Sequence, residues 1–173
     1  WYLMREVEIE AANIEDVIVS VGERGLSFPR RKADQSIGFR AFRDCLCDPC
    51  KGGKPERAPW CPSCVLAAQA LERKQALLAN GTNEKDWGSE PLFLGATGLR
   101  ITTDEVTQGI EKIARLQKIP LTKGNGRRRF GGHTYRISGA GMAYHAGADD
   151  QEVCDLGGWS SVETMKKYLR GVP

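Results

Sequence analysis

Helix starts and stops punctuate the sequence from Val65 onward, and they limit what the chain can build. Val65 to about Ala79 carries Leu66, Ala70, Leu71, Leu77 and Leu78 at helical spacing, and Asn80-Gly81 ends the run. Residues 81–101 read as loop around Pro91-Leu92-Phe93-Leu94. Thr102 and Glu105 form a capping-box pattern ahead of a helix whose expected apolar face is Val106, Ile110, Ile113 and Leu116. His133 opens another helix to about His145, small-faced through Gly139, Ala140, Gly141 and Ala143. Asp149 or Asp150 starts a short helix that Gly157-Gly158 ends, and Ser160 with Glu163 caps a last one carrying Met165, Tyr168 and Leu169.

Upstream the pattern changes. Residues 1 to about 13 read as a helix, and then Val17–Val21 and Leu26–Phe28 read as a hairpin around Gly22-Glu23-Arg24-Gly25. Phe39–Phe42 supplies a third short strand. The expected fold is therefore mainly α with a small antiparallel β-sheet. A chain of 173 residues with 40% apolar and 27% charged residues suits one domain with its own core. No apolar run approaches the roughly 20 residues that span a bilayer, and no secretory leader is evident, so an intracellular protein is expected, nuclear in a eukaryote. The opening Trp1-Tyr2-Leu3-Met4 runs straight into a helical pattern, which suggests a piece of a longer chain.

Net charge is only +3, but its distribution is uneven. Lys112, Arg115, Lys118, Lys123, Arg127, Arg128, Arg129 and Arg136 fall in a stretch without a single Asp or Glu. A local field of that kind suits nucleic-acid phosphates, whose condensed counterions are released on binding. The alternative is a solvated basic loop. Lys123, Arg127, Arg128 and Arg129, in the Gly-rich loop after Pro120, are the candidate DNA contacts.

Five of the six cysteines crowd into residues 45–64, a Pro-, Gly- and Lys-rich segment expected to be an irregular insertion. Cys47 and Cys50 form one C-x-x-C pair, and Cys61 and Cys64 another, with Cys45 as an alternate. Four thiolates in such pairs suit structural tetrahedral zinc, which would staple a segment unable to form a core. A reduced, metal-free loop is the competing reading. Cys154 reads as a small buried hydrophobe.

The densest signal lies in the tail: His133-Thr134-Tyr135-Arg136, then Leu156-Gly157-Gly158-Trp159, then Tyr168 nine residues on. This ending resembles that of the tyrosine recombinase (phage integrase) family, which closes on H-x-x-R, a Leu-Gly-His/Trp turn and a tyrosine. The Gly-Gly-His-Thr-Tyr-Arg-Ile-Ser-Gly-Ala-Gly stretch is similar to crypton and other eukaryotic mobile-element recombinases. Upstream, Arg5 and Glu8 resemble the family's R-x-x-E, and Arg31-Lys32-Ala33-Asp34 resembles its K-x-D hairpin. Arg30 and Arg31 stand beside Lys32 as neighbours whose roles spacing leaves open.

The resemblance implies a catalytic-domain fold over residues 1–173 and a six-residue machinery of Arg5, Lys32, His133, Arg136, Trp159 and Tyr168. Two arginines would hold the non-bridging oxygens of a phosphodiester while charge builds there. His133 and Trp159 would donate hydrogen bonds, Tyr168 would attack phosphorus, and Lys32 would protonate the leaving 5′ oxygen. No cofactor is implied for this chemistry. The implied partners are double-stranded DNA and, for the full-length protein, further copies in a tetramer on DNA, with no membrane. The implied function is site-specific recombination or integration of a mobile element through a 3′-phosphotyrosyl link. Type IB topoisomerase-like relaxation and an inactive DNA-binding remnant remain alternatives. The family's N-terminal core-binding domain and C-terminal extension are expected to lie outside this sequence, and Glu8 is read as a buttress for an arginine.

Overall fold

A computed structural model describes residues 4–19, 23–28, 39–45 and 61–169. They form two compact units, one of residues 12–93 and one that joins residues 3–11 to residues 94–173.

The first unit holds the sheet. Strands β1 (Val17–Val19), β2 (Glu23–Phe28) and β3 (Phe39–Asp44) form an antiparallel sheet in sequence order. Register runs Val17 opposite Leu26 and Glu23 opposite Asp44. β2 therefore begins at Glu23, inside the stretch expected to be the turn. The longer pairing with β3 explains this, because all six residues of β2 find partners there. Helix α2 (Pro62–Ala79) packs on all three strands. It starts earlier than its apolar pattern, because Pro62 fits a first turn where its missing N–H costs nothing. A short 3₁₀ helix, Glu84–Ser89, interrupts the expected loop. The chain then returns as an extended segment beside Asn13. Leu92 N–H donates to Ala12 O (2.9 Å), and Gln69 Nε2 and Arg73 Nε of α2 donate to the carbonyls of Leu92 and Pro91.

The second unit is helical. Helix α1 (Glu6–Ala11) stops two residues short of the expected end, because Asn13 instead caps the 3₁₀ turn Ile14–Asp16. α1 packs on α3 (Thr103–Leu116), and Arg100, just ahead of α3, donates to the Glu10 carbonyl at 2.9 Å. The capping box at Thr102 and Glu105 is present. The buried face of α3 is Val106, Thr107, Ile110 and Ala114, whereas Ile113 and Leu116, expected inside, are 59% and 73% exposed. Positions 106, 110 and 114 lie one above another at i, i+4, i+8 spacing, and a threonine and an alanine complete that stripe.

Helices α4 (Thr134–His145), α5 (Asp150–Gly157) and α6 (Val162–Leu169) pack against one another around Ala140, Val153, Cys154 and Met165. The small face expected of α4 is what permits this close approach, with Ala140 fully buried. Asp149 caps α5 and Gly158 ends it in the left-handed region (φ 56°). The last helix is capped by Ser161, whose hydroxyl accepts from Thr164 N–H at 3.2 Å, rather than by Ser160 with Glu163. That register turns Met165 into the core. Cys154 is buried as expected. No helix among the described residues is long and apolar enough to cross a membrane.

Candidate active site

The described residues of the site lie in the helical unit, where short contacts link their side chains in series. Arg5, just ahead of α1, donates from Nε (3.0 Å) and Nη2 (2.7 Å) to Glu8 Oε1, while its own N–H donates to Glu8 Oε2 (2.8 Å). One helical turn therefore folds the arginine back onto its acid. Glu8 Oε2 also lies 3.9 Å from Arg136 Nη1. With Glu8 4% and Arg136 5% exposed, the carboxylate is a shared counter-ion for two guanidiniums that would otherwise repel.

Arg136 sits in the first turn of α4, opened by His133. Its Nη2 donates to the Gly157 carbonyl at 2.5 Å, and its guanidinium carbon lies 4.2 Å from the centroid of the Trp159 ring. Burial holds this guanidinium below the ordinary arginine range, with Glu8 pushing it back up and Arg5 pushing it further down. Trp159 follows directly on the left-handed Gly158. Its ring lies where a Cβ on Gly157 would stand, so the first glycine of the pair makes space and the second makes the turn.

Tyr168, half-buried on α6, completes the series. Its ring centroid is 5.3 Å from that of Trp159 and 5.7 Å from that of His133, at tilted angles of 53° and 58°. His133 is exposed, as a group meeting a bound polyanion must be. Trp159 Nε1 is buried and finds no hydrogen-bond partner among the described residues. An indole N–H is a donor only, so this group is available to an acceptor oxygen entering the site.

Five of the six expected catalytic residues thus fall together: Arg5, His133, Arg136, Trp159 and Tyr168. Lys32 lies outside the described residues, with Arg30 and Arg31. Glu8 does more than the sequence suggested, since it reaches both arginines. Gly157 was legible as a helix stop and as part of the Leu-Gly-Trp turn, but that it makes room for the Trp159 ring was not.

The basic loop forms a tight turn. Lys123 N–H donates to Arg127 O, Arg129 N–H donates to Leu121 O (both 2.8 Å), and Gly126 takes the positive φ of 76° that the reversal requires. Lys123, Arg127 and Arg129 are exposed. Arg128 is exposed too but is paired with Glu111 of α3 at 2.8 Å, which reduces its charge toward a polyanion.

The expected pair Cys61 and Cys64 comes together, and a third cysteine joins it. Cys45, at the end of β3, lies 3.8 Å from Cys61 and 3.6 Å from Cys64, sulfur to sulfur. Cys45 is thus a member of the cluster rather than a spare. Cys47 and Cys50 lie outside the described residues.

Two guanidiniums share one buried acid, beside an indole donor without a partner among the described residues and a phenol set against both an indole and an imidazole, and such a set of donors suits an anionic group. The phage integrase family model matches residues 49–172, so the chain belongs to that family. Among solved structures, the chain is similar to the XerH site-specific recombinase bound to palindromic difH substrate (post-cleavage complex), at 18% identity and TM-score 0.60, covering 98% of this chain and 39% of that one. The pre-cleavage XerH complex gives 19% identity and TM-score 0.59 over 96% and 39%. The XerA recombinase gives 16% and 0.54 over 97% and 48%. The fold is that of a tyrosine recombinase catalytic domain, and the chain spans less than half the length of these structures. No curated protein matches the sequence.

Proposed function

We propose that the chain is the catalytic part of a site-specific recombinase that cuts and rejoins duplex DNA through a covalent tyrosyl phosphate. The observation that carries this reading is the unbroken series Arg5, Glu8, Arg136, Trp159, Tyr168, His133. The two guanidiniums hold the non-bridging oxygens of one backbone phosphate, and they release part of their hold on Glu8 to do so. Trp159 Nε1 donates to the same phosphate, where negative charge grows as the fifth oxygen approaches.

The Tyr168 oxygen attacks phosphorus, the bond from phosphorus to the 5′ oxygen breaks, and a 3′-phosphotyrosyl link forms. The phenolic proton leaves toward the exposed His133, and the departing 5′ oxygen takes a proton from Lys32, a role carried over by resemblance alone. One ester replaces another, so attack by a 5′ hydroxyl of a different strand reverses the step without an external energy source. Tyrosine recombinases need no cofactor for this catalysis. Lys123, Arg127 and Arg129 contact flanking phosphates, and the parent protein works as a tetramer on DNA, in the movement of a mobile element.

Trapping tests the reading. A library of random duplexes, each with a nick that lets the cleaved end diffuse away, is incubated with the protein and resolved under denaturing conditions. A protein–DNA adduct is expected, carried on a 3′ phosphate and absent with Tyr168→Phe. No adduct, or one that survives that substitution, overturns the proposal. Adducts drawn from all sequences equally would favour topoisomerase-like relaxation over recombination.

A further inference from the structure

We propose that Cys45, Cys61 and Cys64 form a zinc site that ties the end of β3 to the start of α2. Their sulfurs lie within 4.8 Å of one another, Cys61 and Cys64 are buried, and none is disulfide-bonded. The 3.6 and 3.8 Å separations are far beyond the about 2.05 Å of a disulfide. They match a different geometry. Sulfurs each about 2.3 Å from a tetrahedral ion stand about 3.8 Å apart.

The backbone prepares this arrangement. Cys61 is the N-cap of α2 and Cys64 stands three residues on, so both side chains project from one turn, with Val65 N–H donating to Cys61 O at 3.0 Å. The positive end of an 18-residue helix favours anionic sulfur there. Cys45 arrives from the sheet, directly after Asp44, whose partner across the ladder is Glu23. The three thiols, with Cys45 partly exposed, pack together as one local cluster. All-thiolate donors select zinc over harder ions such as magnesium or calcium. The ion would close the loop between residues 45 and 61, whose Pro, Gly and Lys content gives it little apolar surface to bury. The site is separate from the phosphate chemistry and stands whether or not the chain cuts DNA.

Metal content tests it. The full chain, purified without chelator, should hold about one zinc per molecule by mass spectrometry of the metal. The apo chain titrated with cobalt alone should develop a thiolate-to-cobalt charge-transfer band and the strong visible bands of tetrahedral cobalt. Cys45→Ser should lower zinc content at least tenfold, and Cys154→Ser should leave it unchanged. If Cys45→Ser fails to fold, the wild-type cobalt titration still decides. Cobalt bands without sulfur charge transfer, copper or iron in place of zinc, or zinc retained in Cys45→Ser would overturn the assignment.

Discussion

The Arg136 guanidinium lies over the face of Trp159, 4.2 Å from the ring centroid, while the indole nitrogen of the same ring finds no partner among the described residues. One side chain thus does two separable things. Its face steadies a buried cation, and its edge holds a donor ready for an incoming oxygen. Trp159→Phe keeps a face and removes the donor, so single-turnover DNA cleavage should slow by about 100-fold, the usual loss for one oxyanion donor. Trp159→His restores a donor and should recover part of that loss. Trp159→Ala removes both and should be slowest, because a cation–π contact contributes about 0.5–2 kcal/mol more. Wild-type rates in all three variants would show that neither function matters to cleavage.

Glu8 is the counter-ion of two guanidiniums, at 2.7 Å from Arg5 and 3.9 Å from Arg136. Glu8→Gln keeps the shape and removes the charge. Breaking a buried pair in this way costs about 3–5 kcal/mol, and the partly exposed Arg5 puts the expected loss at the lower end. That corresponds to a fall in Tm of about 6–12 °C for a chain of this size. Sulfate or phosphate should restore part of the fall in the variant and do less for the wild type, since an anion between the arginines replaces the missing carboxylate. Thermal melts with and without sulfate measure both effects.

Those two contacts mark where the sequence stopped being readable. Arg5 and Glu8 are three residues apart, so their pairing was visible in the chain. The reach from Glu8 to Arg136 depends on α1 and α4 meeting, which no local pattern encodes. The same division holds elsewhere. Thr102 with Glu105 set a helix start from within four residues, whereas the choice between Ser160 and Ser161 at α6 was decided by which register buries Met165. Ile113 and Leu116 look like core by residue type, yet α3 spends its buried stripe on Thr107 and Ala114. The C-x-x-C spacing already paired Cys61 with Cys64, but only the sheet shows that Cys45, an alternate by spacing, is delivered to them. Strand ends are set by cross-strand register, and spacing carries no information about that.

Gly157 and Gly158 make opposite predictions for the same substitution type. A Cβ at Gly157 meets the Trp159 ring, so Gly157→Ala must displace the indole and disturb the carbonyl that accepts from Arg136. Overpacking of this kind costs about 1–3 kcal/mol, and the DNA adduct should disappear while binding persists. Gly158→Asn keeps a residue that tolerates the left-handed region and should leave adduct yield within about twofold of wild type. Gel-shift and trapping assays on both variants separate the two effects. Normal adduct yield in Gly157→Ala would contradict the steric argument.

Acid should weaken the start of α3 in a defined direction. The Glu105 carboxylate accepts from Thr102 N–H at 2.9 Å, Ala96 N–H at 3.1 Å and the Thr102 hydroxyl at 3.0 Å. These bonds, the Thr102 N–H first, hold its carboxyl below the ordinary value of 4.5. A group depressed in the folded state stabilises the fold above its unfolded value, and that contribution drains away as pH falls through the lower, folded value. Glu105→Gln should therefore melt below the wild type near neutrality, and the gap should narrow as pH drops beneath 4.5. Because this carboxylate is exposed to solvent, added salt should shrink the neutral-pH gap as well. Melting curves of both proteins from pH 7 to pH 3 measure it, and a difference in Tm that stays constant over that range would mean that the charge on Glu105 plays no part in capping the helix.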